Sequence, residues 1–220
     1  MYLCRVIQLE KKASHLEIPA NGEILPVMEI FYSLQGEGYH QGKSATFIRL
    51  AGCSIGCVWC DVKESWKTDD YPLQTVSDII NEIKSFPSRL VIITGGEPLM
   101  YNLTPLTQIL KENGFQVHLE TSGAFPLSGI WDWICVSPKK FKSVLPEILP
   151  QAHELKVVVY HPSDITWANS FLPSVNAQCK LYLQPEWSKH QHIEKLLVAH
   201  IQENPQWRLS LQVHKYLNIR

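Results

Sequence analysis

The stretch ATFIRLAGCSIGCVWCDV (residues 45–62) decides how the rest of the chain is read. Its first seven residues, apolar and partly β-branched, predict a strand over 45–51. Gly52 and Gly56 then allow tight turns. Cys53, Cys57 and Cys60 follow within eight positions, spaced Cys-x3-Cys-x2-Cys in a loop over 52–61. Three reactive thiols at the carboxyl end of one strand need a chemical reason.

Four uses compete. Buried structural thiols would leave the grouping unexplained. A zinc knuckle wants four ligands, usually Cys4 or Cys3His; the nearest histidine, His40, lies on the far side of a strand, and no second cysteine pair follows. A redox pair of Cys57 and Cys60 leaves Cys53 idle. A cubane iron–sulfur cluster normally takes four thiolates. Three would leave one iron open, which suits a site that does chemistry.

Further strands are expected at 27–34, 90–94, 115–120, 133–137, 155–160, 180–184 and 207–213. Helical patterns fall between several of them. Val76, Ile79, Ile80 and Ile83 share a face of 75–86, closed by Pro87. Residues 105–113 read as a helix with Thr104 as N-cap, Pro105 at its first position and Gly114 as stop. Residues 189–203 carry a stripe of Ile193, Leu196, Leu197 and Ile201, and 163–171 shows a weaker pattern. Strands alternating with helices predict parallel β/α units in one domain over 1–220. The count falls short of a full eightfold barrel, typically about 250 residues. The expected fold is therefore α/β, a partial, open β/α barrel, with a doubly wound sheet as the alternative. Either places ligands at the carboxyl ends of the strands.

Bulk properties narrow the classes. With 45% hydrophobic and 19% charged residues, the 220-residue chain can build a sizeable core. A net charge of -1 and no basic stripe argue against a nucleic-acid partner, including tRNA. Neither a secretory signal nor an apolar run of roughly 18 residues is visible. The expectation is a cytoplasmic protein with reduced thiols and no membrane partner. Cys4, Cys135 and Cys179 are scattered and fit no disulfide framework.

More motifs end predicted strands. TGGEP (Thr94–Pro98) follows LVII; its glycines, Gly95 and Gly96, admit close backbone approach, and Glu97 could accept from an ammonium group. SLQGEG (Ser33–Gly38) precedes the cysteines, with Arg49 four residues before Cys53. ETSG (Glu120–Gly123), SPK (Ser137–Lys139), QPEW (Gln184–Trp187) and LSLQVHK (Leu209–Lys215) complete the series.

The cysteine spacing, with Trp59 before the last cysteine, and TGGEP together resemble the radical S-adenosylmethionine (SAM) superfamily. The order of the smaller motifs resembles its 7-carboxy-7-deazaguanine synthase family across nearly the whole chain. That resemblance implies a [4Fe–4S] cluster on Cys53, Cys57 and Cys60, with SAM on the open iron. It implies conversion of 6-carboxy-5,6,7,8-tetrahydropterin into 7-carboxy-7-deazaguanine with loss of ammonia, on the 7-deazapurine route to queuosine. A shortened barrel, a homodimer and an external electron donor such as flavodoxin or ferredoxin come with it. By motif, Trp59, Cys60, Asp61, Gly96 and Glu97 would surround SAM. So would Thr121, Ser122, Ser137, Pro138 and Lys139, and the strand-end loop Gln184, Pro185, Glu186 and Trp187. The pterin would meet Leu34, Gln35, Gly36, Glu37, Thr94 and His214, with Arg49 clamping its carboxylate. Magnesium is also implied, but the family commonly has Thr after the Cys-Asp pair, and here Val62 offers no oxygen. Asp61 or Ser65 is left as a candidate, with no ligand assigned. Two other readings stay open. A glycyl-radical activase of the same superfamily would share the cysteine loop but would not need SLQGEG, Arg49 or the LQVHK end. A non-catalytic iron–sulfur or zinc protein would not turn over.

Overall fold

The structure, a computed structural model, describes residues 18–220. Cys4 and the charged N-terminal stretch lie outside the described residues. Nine strands form one sheet: β1 (Ile24–Leu34), β2 (Ser44–Leu50), β3 (Leu73–Thr75), β4 (Leu90–Gly95), β5 (Gln116–Thr121), β6 (Trp133–Val136), β7 (Glu154–Val159), β8 (Lys180–Pro185) and β9 (Trp207–Leu209). Their order is β3-β1-β2-β4-β5-β6-β7-β8-β9. β1 is antiparallel to β2 and β3, while β2 and β4 through β9 run parallel. The sheet ends at β3 and β9 rather than closing, so the fold is an open, partial β/α barrel.

Strand periodicity sorts side chains onto two faces. On the outer face Ile48, Val91, Ile93, Val117, Leu119, Ile134, Leu155, Val157 and Leu183 join one apolar core. Helices α1 (Val76–Ile83), α2 (Thr104–Glu112), α3 (Ser163–Asn169) and α4 (His190–Glu203) add residues to it, as with Ile79, Leu106, Ile165 and Ile193. Each fully buried Ile or Leu contributes about 1.5–3 kcal/mol relative to exposure. The inner face carries a different chemistry. In register across the sheet stand Arg49 and Thr94, Ile92 and His118, Glu120 and Cys135, then Lys156 and Tyr182. Charge is thus concentrated inside, towards the carboxyl ends.

The strands expected at 45–51, 90–94, 115–120, 133–137, 155–160 and 180–184 form within one residue of those bounds. β1 starts at Ile24, three residues earlier than expected, because β3 pairs with Ile24–Pro26. Helix α1 begins behind a capping box, in which Thr75 and Asp78 satisfy each other's backbone N–H. α2 departs from expectation: Thr104 is already helical, and its N–H donates to Asn102 Oδ1 at 3.1 Å. The strand expected over 207–213 stops at Leu209, and Val213–Leu217 forms a short helix, α5. Beyond Leu209, Ser210 N–H makes one last bond to Leu183 O of β8, and the Ser210 and Gln212 side chains turn to Gln184 on β8 and to Glu37.

Candidate active site at the carboxyl ends of the strands

The cysteine loop is bolted to the first turn of its neighbours. Gly52 N–H donates to Ser65 O at 2.7 Å, and Glu97 N–H donates to Gly52 O at 2.9 Å. The double glycine of TGGEP is what permits that approach. A Cβ on Gly95 would sit 2.1 Å from Leu50 O, and one on Gly96 would sit 2.2 Å from Gly52 O. Cys53, Cys57 and Cys60 line a single cavity of about 220 Å³ and are free thiols. Burial pushes the Cys57 thiol up to about 11, against the pull of Lys139 and with the push of the neighbouring sulfurs.

Around the same cavity stand Trp59, Asp61, Gly96, Glu97, Thr121 and Ser122, and beyond them Ser137, Lys139, Gln184, Glu186 and Trp187. Pro138 and Pro185 flank lining residues without lining the cavity themselves. Glu97 is 1% exposed, and its observed partners are all protein donors. Thr121 Oγ1 donates to Oε1 at 2.6 Å, Leu99 N–H to Oε1 at 3.1 Å, and Ser122 N–H to Oε2 at 2.8 Å. The Ser122 hydroxyl adds a fourth bond. A carboxylate has about four acceptor sites, so Glu97 brackets TGGEP to ETSG. Lys139 Nζ donates to Ser137 Oγ at 2.6 Å and lies 5.5 Å from the centre of the Trp59 ring.

A second cavity, about 180 Å³, adjoins the first. Leu34, Gln35, Gly36, Glu37, Arg49, Thr94 and His214 all line it. Both cavities share Glu37, Asp61, Val62, Thr94, Glu120 and Gln212. Arg49 Nε donates to Glu29 Oε1 at 2.7 Å, which fixes the guanidinium plane. Gly36 is required by a neighbour: a Cβ there would meet His214 Nδ1 at 2.2 Å. Burial lowers the His214 pKa, against the pull of the Glu37 carboxylate, so its ring is neutral near pH 7.

The wall between the cavities is an ionic network that motif reading left incomplete. Lys156 Nζ binds Glu37 Oε2 at 2.7 Å and Glu120 Oε2 at 2.9 Å. Gln35 Nε2 donates to Glu120 Oε1 at 3.1 Å. Gln212 Nε2 bridges Glu37 and Asp61, at 3.0 Å to each, and Lys215 Nζ reaches Asp61 Oδ1 at 2.6 Å. Burial raises the Glu37 pKa, but Lys156, helped by His214 and Gln212, brings it down to about 2. Burial alone would depress Lys156; Cys135, Glu120, Glu37 and Glu154 instead hold it well above its ordinary value. Lys156, Glu120 and Gln212 are lining residues to which the sequence reading gave no role, although Glu120 and Gln212 lie in the ETSG and LSLQVHK motifs. The available signal was a single lysine on the inward phase of LKVVVY, between Leu155 and Val157.

Comparison with known proteins fits this arrangement. Residues 47–139 match the radical SAM superfamily. The chain is 50% identical over 198 residues to the 7-carboxy-7-deazaguanine synthase of Flavobacterium psychrophilum, covering 90% of this chain and 94% of that protein. It is 48% identical to the protein of that name from Synechocystis sp., covering 89% and 93%. The chain belongs to the 7-carboxy-7-deazaguanine synthase family. The crystal structure of QueE from Escherichia coli superposes with a TM-score of 0.79 at 33% identity, covering 89% of this chain and 96% of that one.

In this member of the 7-carboxy-7-deazaguanine synthases, the residues suit the cofactors that a radical SAM family implies. Three thiols share one cavity, and bound iron would take up the thiolate charge that burial resists. The zinc reading loses its fourth ligand, because His40 packs 4.5 Å from His118 and 4.6 Å from Trp133, ring centre to ring centre. The residues do not suit a protein-built magnesium site. Ser65 is 1% exposed and donates to Val62 O at 2.7 Å. Both Asp61 oxygens are engaged, by Lys215 and Gln212; the Val62 side chain has no oxygen, and its carbonyl accepts from Ser65.

Proposed function

We propose that the chain converts 6-carboxy-5,6,7,8-tetrahydropterin into 7-carboxy-7-deazaguanine with loss of ammonia, in 7-deazapurine (queuosine) biosynthesis. The observation that carries the reading is the pair of adjoining cavities. One holds the three cysteines; the other gathers SLQGEG, Arg49, Thr94 and His214 on a shared acidic wall. When bound at Cys53, Cys57 and Cys60, a [4Fe–4S] cluster supplies the electron that splits SAM and so provides the hydrogen-abstracting radical.

The chain's own share is binding and orientation. Trp59, Lys139 and Trp187 bound the SAM side of the first cavity with aromatic and cationic surface. In the second cavity, Glu29 holds Arg49 through Nε, leaving its two terminal nitrogens to clamp the pterin carboxylate as a fork. Gln35 and Glu37 offer polar groups to the pterin edge, and neutral His214 can donate to or accept from it. An activase of protein glycines has no need of such a second, side-chain-lined cavity.

The same reading brings a homodimer, an external donor such as flavodoxin or ferredoxin, and a reducing cytoplasmic setting. Among the described residues, the five cysteines are free thiols, and no helix is long and apolar enough to cross a membrane. Any magnesium ion draws its ligands from substrate and water.

Anaerobic incubation of cluster-loaded protein with the pterin, SAM and dithionite tests the proposal. Chromatography and mass analysis should show 7-carboxy-7-deazaguanine with matching ammonia. SAM cleavage with the pterin returned unchanged would contradict it.

A further inference from the structure

Lys156 is 4% exposed on the inward face of β7, one strand position from the apolar Leu155 and Val157. A lone lysine in such a place is costly to bury unless its charge is matched. It is matched twice, by Glu37 at 2.7 Å and Glu120 at 2.9 Å. Those carboxylates come from different elements, the SLQGEG loop and β5, and both line the wall common to the two cavities. Each keeps one oxygen turned to an amide side chain, Glu37 Oε1 to Gln212 at 3.0 Å and Glu120 Oε1 to Gln35 at 3.1 Å. The wall is therefore a paired-carboxylate surface held together by one ammonium group.

We propose that Lys156 is a positioning residue for substrate: it keeps Glu37 and Glu120 together as ionised acceptors for the N–H-rich amino-pyrimidinone edge of a pterin-class ligand. The inference rests on the proposed function. An amino-pyrimidinone presents adjacent N–H donors, which a charged carboxylate accepts far better than a carboxylic acid. Without the ammonium group, burial of Glu37 is opposed only by His214 and Gln212, which shifts the carboxylate towards its protonated form. The other groups facing this pair are Cys135 from β6, Lys139 from the loop after β6, Glu154 from β7, Asp61 from the cysteine loop, and His214 and Lys215 from α5. None of them bridges the two carboxylates.

The test compares cluster-loaded wild type with Lys156→Met, and with Lys156→Gln should the first fail to fold. Pterin KM and equilibrium pterin binding by fluorescence are both measured at pH 6 and pH 8.5. Wild type should be nearly flat across that range. The variant should bind roughly ten- to hundredfold more weakly at pH 6, recovering towards wild type at pH 8.5 as Glu37 ionises. Unchanged binding, or an equal loss at both pH values, would overturn the inference and leave Lys156 a packing group. A wild type that neither binds nor turns over the pterin would instead overturn the proposed function.

Discussion

A glycine and an arginine set tight constraints on the site. Gly95 has φ +144°, and a Cβ there would press to 2.1 Å of the Leu50 carbonyl, which is backbone and cannot swing aside. Gly95→Ala should cost about 1–3 kcal/mol in urea unfolding. It should also lower iron uptake, since TGGEP holds the cysteine loop. An unchanged midpoint would show that the loop yields more easily than its packing implies. Arg49→Lys keeps a charge beside Glu29 but loses the planar fork. The pterin KM should rise roughly tenfold while the KM for SAM stays level. Equal rises in both would place Arg49 outside the substrate cavity.

At the scale of elements, the cysteine loop and its strand were readable because apolar runs with β-branched residues and glycine stops leave few alternatives. The segment running out of β9 was harder. Leu209-Ser210-Leu211-Gln212-Val213 alternates like a strand, yet the strand stops at Leu209 and the polar side chains beyond it close the site. Ser210 Oγ donates to Gln184 Oε1 at 2.7 Å and accepts from Gly38 N–H at 3.0 Å, while Gln212 reaches Glu37 and Asp61. Alternation cannot distinguish a strand from a chain whose alternate side chains close a pocket. β3 escaped notice because three residues, Leu73–Thr75, are too few to show a period. Lys156 escaped because motifs were sought at strand ends, whereas it stands mid-strand. α5 buries none of its residues and is tied down chiefly by polar contacts. Ending the chain after Leu211 removes that helix and the buried Gln212 with its bonds to Glu37 and Asp61, so the melting temperature should fall by about 5–10 °C. Pterin turnover should also be lost, because Gln212 and His214 leave the second cavity. A truncated chain with full turnover would remove α5 from the site.

For the whole molecule, buried ionisable groups predict how stability follows pH. Burial lowers His40 from 6.5 to about 4 and His118 from 6.5 to about 3. Below pH 6.5 the unfolded chain binds protons that the folded chain refuses, so both groups reduce stability as pH falls towards 4. Glu154 acts oppositely: burial raises it from 4.5 to about 7, so its contribution declines as pH rises through that window. His214, also lowered by burial, joins the other two histidines against Glu154, and stability should fall on acidification from pH 7 to pH 5. His118→Phe should make the fall shallower in denaturant titrations; an unchanged slope would assign the effect elsewhere. The same inside-out fold, apolar against its helices and charged within, brings three thiols beside a second, acid-walled cavity. The most direct test is electron paramagnetic resonance of the reduced, anaerobically reconstituted protein with and without SAM. The account predicts about four irons per chain and a cluster signal that changes when SAM is added, with no such cluster in Cys53→Ala, Cys57→Ala or Cys60→Ala. A signal indifferent to SAM, or an intact cluster in any of the three variants, would contradict it.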